Sequence, residues 1–293
     1  MRIGIVGVGA MGLPMAANLQ RRGHAVRVCD VDAVALAAAA AQGLTARGSA
    51  AELAGQCDLL AIVVVDALQI DAVLFGADGV VHAARPAGAA PLAVMLCSTI
   101  AAHDTERFHA RLATHGIDLL DAPISGGPVR AANGTMSMML AGSSALIARF
   151  APVLHDMAAT RFNMGEKVGD AARTKLVNNL LAGINLVAGA EALALGAALG
   201  LDKHALFDVI KASSGASWIT TDRMARALEG DYVPRARTVI LTKDVGLAVQ
   251  MAGAAGIATP LGEVALQLFR AAVDAGLGEL DDAAVIRAIC PDF

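Results

Sequence analysis

An α/β fold, a doubly wound parallel sheet followed by an all-α domain, is what this sequence predicts, and three observations predict it. Short apolar runs alternate with helix-like stretches up to about residue 160, the pattern of βαβ units on a parallel sheet. A glycine-rich turn follows the first of those runs directly. After Gly165 the strand-like runs stop, and long Ala/Leu-rich segments of helical spacing take over. At 293 residues the chain exceeds what one typical core serves, so two domains are expected, 1–163 with the sheet and 164–293 all-helical.

The candidate strands, in order, are 2–6, 25–30, 59–65, 92–97 and 117–121. Each is short and almost continuously apolar, as strands buried on both faces must be. The first two helices, 11–22 and 31–42, stop at Gly23 and Gly43, where glycine permits the left-handed turn that closes a helix. In the helical half, breaks fall near Gly200, Gly215, Gly230, Gly256 and Gly276. Segment 176–201 is the most apolar, but Asn178, Asn179, Asn185 and Glu191 interrupt it. Its charge-free part, 176–190, is shorter than the ~20 residues a bilayer span needs. A buried or subunit-interface helix is expected there, and with it self-association to a homodimer or homotetramer.

Composition narrows the function. A hydrophobic share of 56% excludes a disordered chain. The net charge of −4 and the scattering of Lys and Arg exclude a nucleic-acid footprint, leaving a small molecule as the expected partner and no membrane. Cys29, Cys57, Cys97 and Cys290 lie far apart with no ligand spacing and read as buried thiols of a reducing, cytoplasmic compartment. Arg2 precedes an apolar stretch, but glycines punctuate it and no export signal is expected. Trp218, Tyr232 and the seven histidines show no ligand spacing either. No metal is expected.

Gly7-Val8-Gly9-Ala10-Met11-Gly12 is a Gly-x-Gly-x-x-Gly between a strand and a helix, the context that makes it a Rossmann dinucleotide fingerprint. Gly7 permits the tight turn, Gly9 lets backbone approach a pyrophosphate, Gly12 allows close packing, and Ala10 and Met11 open the helix whose N–H groups face phosphate. Asp30 stands eighteen residues after Gly12 at the second strand's end. There a carboxylate accepts hydrogen bonds from ribose hydroxyls and repels a 2′-phosphate, so NAD is the expected cofactor. Residues 31–33 offer no arginine for NADP. Val64 and Val65 are expected to end the strand beside the coenzyme, and Thr99, in Cys97-Ser98-Thr99, follows another strand's C-terminal end, where such sheets bind ligands.

Four blocks carry a resemblance: 4–18 (GIVGVGAMGLPMAAN), 121–134 (DAPISGGPVRAANG), 165–179 (GEKVGDAARTKLVNN) and Lys243-Asp244. In order and spacing the chain resembles the β-hydroxyacid dehydrogenase family over nearly its whole length. The resemblance implies oxidation of a small 3-hydroxy acid, 3-hydroxyisobutyrate- or L-threonate-like, with NAD as acceptor. It further implies that Ser125, Gly126 and Gly127 form a carboxylate-binding turn, that Lys175 is catalytic, that Asn179 positions substrate, and that Thr99 and Lys243 contact coenzyme. Arg130 stands where many members carry glycine, and the stretch after the turn is more similar to the L-threonate branch.

The chemistry fits these roles. A Gly-Gly turn presents backbone donors without obstruction, and Ser125 adds a hydroxyl. Lys175 and Asn179 are i and i+4, so one helix face carries both. Alcohol oxidation needs a base within hydrogen-bond reach. At a pKa of ~10.4 about one lysine in 2,500 is neutral at pH 7, whereas ~8 makes it about one in ten, a shift that burial can supply. Two alternatives have the same fold. An NAD(P)H-dependent aldehyde or imine reductase is opposed by Asp30 and Lys175 respectively. A non-catalytic NAD-binding sensor would bind coenzyme without turnover.

Overall fold

The computed structural model describes residues 1–293 and divides into two compact units, Met1–Lys175 and Leu176–Phe293. The first unit runs β1 (Arg2–Val6), α1 (Gly12–Arg21), β2 (Ala25–Cys29), α2 (Ala33–Ala41), β3 (Thr45–Ala46), α3 (Ala50–Gly55), β4 (Leu59–Ile62), α4 (Ala67–Phe75), β5 (Ala93–Leu96), α5 (Ala102–Ala113) and β6 (Asp118–Asp121). These six strands form one sheet in the order β3-β2-β1-β4-β5-β6, and every pairing is parallel. The order reverses between β1 and β4, which opens a crevice beyond their C-terminal ends. Successive side chains point to opposite faces: Leu59, Ala61, Ala93 and Met95 enter one core, Leu60, Ile62, Val94 and Leu96 the other. Burial on both faces is why these strands are unbroken apolar runs.

Two expectations about strand ends are corrected. The run expected over 59–65 ends as a strand at Ile62, so Val64 and Val65 lie in the following loop. The Val64 amide turns to the Ser98 hydroxyl at 3.1 Å and the Val65 amide to the Gln69 side chain at 2.9 Å, while Asp66 caps α4; these polar partners end the ladder. The run over 25–30 stops at Cys29, and the Asp30 side chain just past it accepts from the amides of Val8 and Asp32.

The unit also holds a small second sheet that the apolar pattern did not predict: β7 (Ile124–Ser125), α6 (Gly127–Asn133), β8 (Met136–Leu140), α7 (Ser144–Met157) and β9 (Ala158–Asn163). Its order is β7-β8-β9, with β7 antiparallel and β9 parallel to β8. β9 is an exposed edge with the sequence AATRFN, and an edge strand covered on neither face shows no apolar alternation to read.

Helix α8 (Asp170–Ala198) crosses from the first unit into the second, and α9 (Lys203–Ala212), α10 (Trp218–Leu228), α11 (Thr238–Ala254), α12 (Pro260–Ala272) and α13 (Val285–Ile289) follow. The second unit is all-helical, as the sequence predicts, and its turns fall at the expected glycines. By length and composition α8 is apolar enough to cross a membrane. Leu186, Val187, Ala190 and Leu193 instead enter the helical core. Close packing explains its small residues. A Cβ on Gly183 would lie 2.5 Å from Val245 of α11, one on Gly189 2.3 Å from Thr220 of α10, and one on Gly196 2.0 Å from Leu206 of α9.

Candidate functional site

The glycine-rich turn is built by geometry that only glycine satisfies. Gly7 takes φ +88° and its amide bonds the Cys29 carbonyl at 3.0 Å, while a Cβ there would lie 2.4 Å from the Val63 carbonyl oxygen. A Cβ on Gly12 would lie 1.8 Å from the Gly7 carbonyl oxygen, so α1 starts hard against the turn. Gly9 differs: a Cβ there meets nothing within 4 Å, and the position borders open space. No side chain caps α1 at Met11, and the first-turn amides of a helix have no carbonyl of their own. Gly9, Ala10, Met11 and Gly12 thus form an uncapped, positively polarised cradle with the chemistry a pyrophosphate needs.

Asp30 completes the cradle. Its Oδ2 accepts from the Val8 amide at 2.6 Å and its Oδ1 from the Asp32 amide at 2.9 Å. The neighbouring Asp32, not Asp30, caps α2. Asp30 is therefore fixed against the turn with lone pairs to spare for a ribose diol. These residues fit a dinucleotide: an unobstructed glycine, free helix amides and an oriented carboxylate at the switch point.

Beside them, Val64 and Val65 follow β4 and Thr99 follows Ser98 at the end of β5. The buried Ser98 hydroxyl takes the Val64 amide, joining the two loops. Cys97, next to Ser98, is not a nucleophile, since burial pushes its thiol up to about 12.

Ser125 ends β7 and its ladder, and Gly126 and Gly127 adopt φ +136° and +71° where α6 begins. A Cβ on Gly126 would meet the Arg130 side chain at 2.7 Å, so the aliphatic part of Arg130 lies over this turn. Asp121, which the sequence reading did not single out, ends β6 and is buried. Its Oδ2 accepts from the amides of Gly169 and Ala172 at 2.9 and 3.1 Å, at the start of α8. Lys175 follows on the same helix and is only 7% exposed.

In the second unit Asn179 is buried on α8 and donates its Nδ2 to Asp244 Oδ2 at 2.7 Å; Lys243 Nζ donates to Asp244 Oδ1 at 2.7 Å. Asp244 thus orients both residues the sequence reading named there. It lay inside the quoted Lys243-Asp244 block, and Asp121 opened another; membership in a block was the available signal, because a buried hydrogen-bonding aspartate has no periodicity of its own.

Residues 2–165 match the family model described as the NAD binding domain of 6-phosphogluconate dehydrogenase, and 169–289 the one described as the NAD-binding of NADP-dependent 3-hydroxyisobutyrate dehydrogenase. An L-threonate dehydrogenase of Escherichia coli O6:H1 is 39% identical over 97% of this chain and 93% of its own length. The solved 3-hydroxyisobutyrate dehydrogenase of Salmonella typhimurium is 39% identical at a TM-score of 0.89, covering 98% of this chain and 99% of that one. One from Mycobacterium tuberculosis, solved with L-serine, is 33% identical at a TM-score of 0.84, covering 98% of each. The chain belongs to the β-hydroxyacid dehydrogenase family.

Proposed function

We propose that this protein is an NAD-dependent dehydrogenase of a small hydroxy acid, with Lys175 as the proton-transferring residue. The observation that carries the reading is the burial of Lys175 on α8, in a chain that also presents an open, uncapped glycine turn with an oriented Asp30. Burial favours an amine over an ammonium and is the usual means of making lysine a base near neutral pH. Bound oxidised nicotinamide supplies the hydride acceptor. The protein's part is to hold the substrate carboxylate on the amides of Gly126 and Gly127 and the Ser125 hydroxyl, to take the alcohol proton on Lys175 Nζ, and to orient the substrate through Asn179. In reduction the Lys175 ammonium returns that proton to the carbonyl oxygen. The turn at Gly7, Gly9, Ala10, Met11 and Gly12, with Asp30, Val64, Val65, Thr99 and Lys243, holds the coenzyme.

L-threonate is the first substrate to assay. The relative named for it is 39% identical, and the Arg130 side chain over the turn favours a polar, polyhydroxylated acid. Self-association is supported by α8, where Val177, Leu181 and Leu195 are each at least 59% exposed, and by the equally exposed Leu199 just past its end, whose amide continues the helical path by bonding the Leu195 carbonyl at 3.0 Å. Positions 177 and 195, and 181 and 199, are five whole helical turns apart, so the four share one stripe that a second copy would cover. A cytoplasmic location is supported by four cysteines, all free.

The decisive variant is Lys175→Ala, which should lower kcat by about 10²–10⁴ with coenzyme affinity nearly unchanged. A variant within about tenfold of wild type would end the assignment of Lys175 as base.

A further inference from the structure

We infer that Asp121 is a positioning residue for the reaction: its buried carboxylate fastens the start of the helix that carries Lys175 to the strand end that leads into the Ser125-Gly126-Gly127 turn. This rests on the reading of Lys175 as the proton-transferring group.

Asp121 is held from both sides. Its backbone exchanges a pair of hydrogen bonds with Ala141 at 2.9 and 3.0 Å, and the next amide, of Ala122, bonds the Leu96 carbonyl at 2.9 Å. Its side chain meanwhile takes the amides of Gly169 and Ala172, 48 and 51 residues away in sequence. Lys175 is three residues beyond Ala172 on α8 and Ser125 four beyond Asp121 along the strand side, so one carboxylate ties together the two short segments that lead to the proton-transferring side chain and to the substrate turn.

Packing alone does not call for an acid here. The neighbours Leu119, Leu120 and Ala122 are at most 2% exposed and apolar, and an apolar residue at 121 would fill the same core while leaving two helix amides without an acceptor. Nor is Asp121 part of an ion pair. The charge that acts on it is that of Asp170 on α8, and the nearby Arg173 is engaged by Glu106 of α5 and by Asp170; Leu96 and Ala141, its backbone partners, carry no charge. The carboxylate is therefore supported by helix amides and the positive end of α8. Burial pushes the carboxyl up to about 6, against the amides of Ala172, Gly169 and Ala171, with Asp170 adding to the rise. Its grip on the helix should accordingly weaken below that pH.

The test compares Asp121→Ala and Asp121→Asn with wild type, using NAD and whichever of L-threonate and 3-hydroxyisobutyrate turns over faster. Asp121→Ala should lower kcat by about tenfold to 10²-fold, the scale of a small misplacement, with the KM for NAD within about twofold of wild type, because its side chain bonds the amides of Gly169 and Ala172 and none of the glycine-rich turn. The asparagine keeps an acceptor without the charge and should restore part of the loss. In wild type the fall in kcat on acidification should steepen below about pH 6, and in Asp121→Asn that steepening should vanish, because the amide does not titrate. Hydrogen exchange at the Gly169 and Ala172 amides should quicken in Asp121→Ala. If Asp121→Ala only melts earlier while its folded fraction keeps the wild-type kcat, or if Asp121→Asn retains the steepening, the inference is overturned alone. If Lys175→Ala keeps activity, the assignment of the base falls, and the inference with it.

Discussion

The two units bury carboxylates in opposite ways. In the first, Asp121 meets only backbone amides, and burial raises it to about 6. In the second, Asp281 and Asp282 share Arg223 and Arg226: Arg223 pairs with Asp282 and Asp222, and Arg226 Nη1 lies 2.9 Å from Asp281 Oδ2. Burial works against the Asp281 charge too, but Arg226 and the amides of Arg235 and Ala283 outweigh it and hold that carboxyl below the usual range. With Asp222 there are three carboxyls to two guanidiniums. The surplus falls on Asp282, which burial and Asp281 together push up to about 7 against the pull of Arg223. The amides orient Asp121 without offsetting its desolvation, whereas in the second unit the arginine pair and two amides offset it for Asp281 and leave Asp282 raised. The amide-held Asp121 titrates within reach of neutral pH, as a positioning residue can; Asp281, held low by Arg226, is a fixed tie between α10 and the chain after α12, and Asp282 beside it carries the surplus proton.

The contrast predicts unequal losses. Asp281→Ala removes the 2.9 Å ion-pair partner of Arg226 and the acceptor for the amides of Arg235 and Ala283 and should cost about 3–5 kcal/mol by urea unfolding, because it leaves a largely buried cation only its longer contact to Asp222 at 3.4 Å. A loss under about 1 kcal/mol would mean that the arginines find other partners. Asp121→Ala strands two amides and no cation, and should cost about 1–3 kcal/mol; equal losses in the two units would erase the distinction. The pH dependence sharpens it further. A carboxyl raised in the fold binds its proton more tightly there than in the unfolded chain, so stability drains away as pH rises from about 4 to 7 for Asp282. Asp281, lowered in the fold, contributes in the other direction, and its share is lost only on acidification. Asp282→Asn should therefore gain on wild type between pH 5 and 8 in thermal melts, and a constant difference would refute the assignment of the surplus proton. The smallest effect belongs to the coenzyme turn. Asp30→Ala should narrow the preference for NAD over NADP by about tenfold, the scale of one charge-assisted hydrogen bond, as read from the two kcat/KM values.

These contrasts also mark what the sequence made legible. Gly7 and Gly12 announced their turn because a steric demand leaves one residue type at each, and Gly9 because it keeps the space beside the turn open. The buried strands announced themselves by apolar runs, and the helical unit by breaks at Gly200, Gly230, Gly256 and Gly276, each of which has a positive φ. The burial of Lys175 was not legible from spacing, since a lysine among alanines and leucines reads equally well as a solvated one; only its surrounding block singled it out. The second sheet was not legible: β7 is two residues long and β9 lies exposed, so neither leaves a period. Asp121 and Asp244 were hidden for another reason. Their meaning lies in partners 48 and 65 residues away, and only the fold brings those together.

The most direct test of the account is the absorbance of NADH formed from NAD and L-threonate at alkaline pH, where an amine base is most populated, with 3-hydroxyisobutyrate assayed beside it. NADH should accumulate with one of these acids in the wild-type protein and should be about 10²-fold slower or worse in Lys175→Ala. Coenzyme binding without NADH formation from either acid, or undiminished formation in the alanine variant, would contradict it.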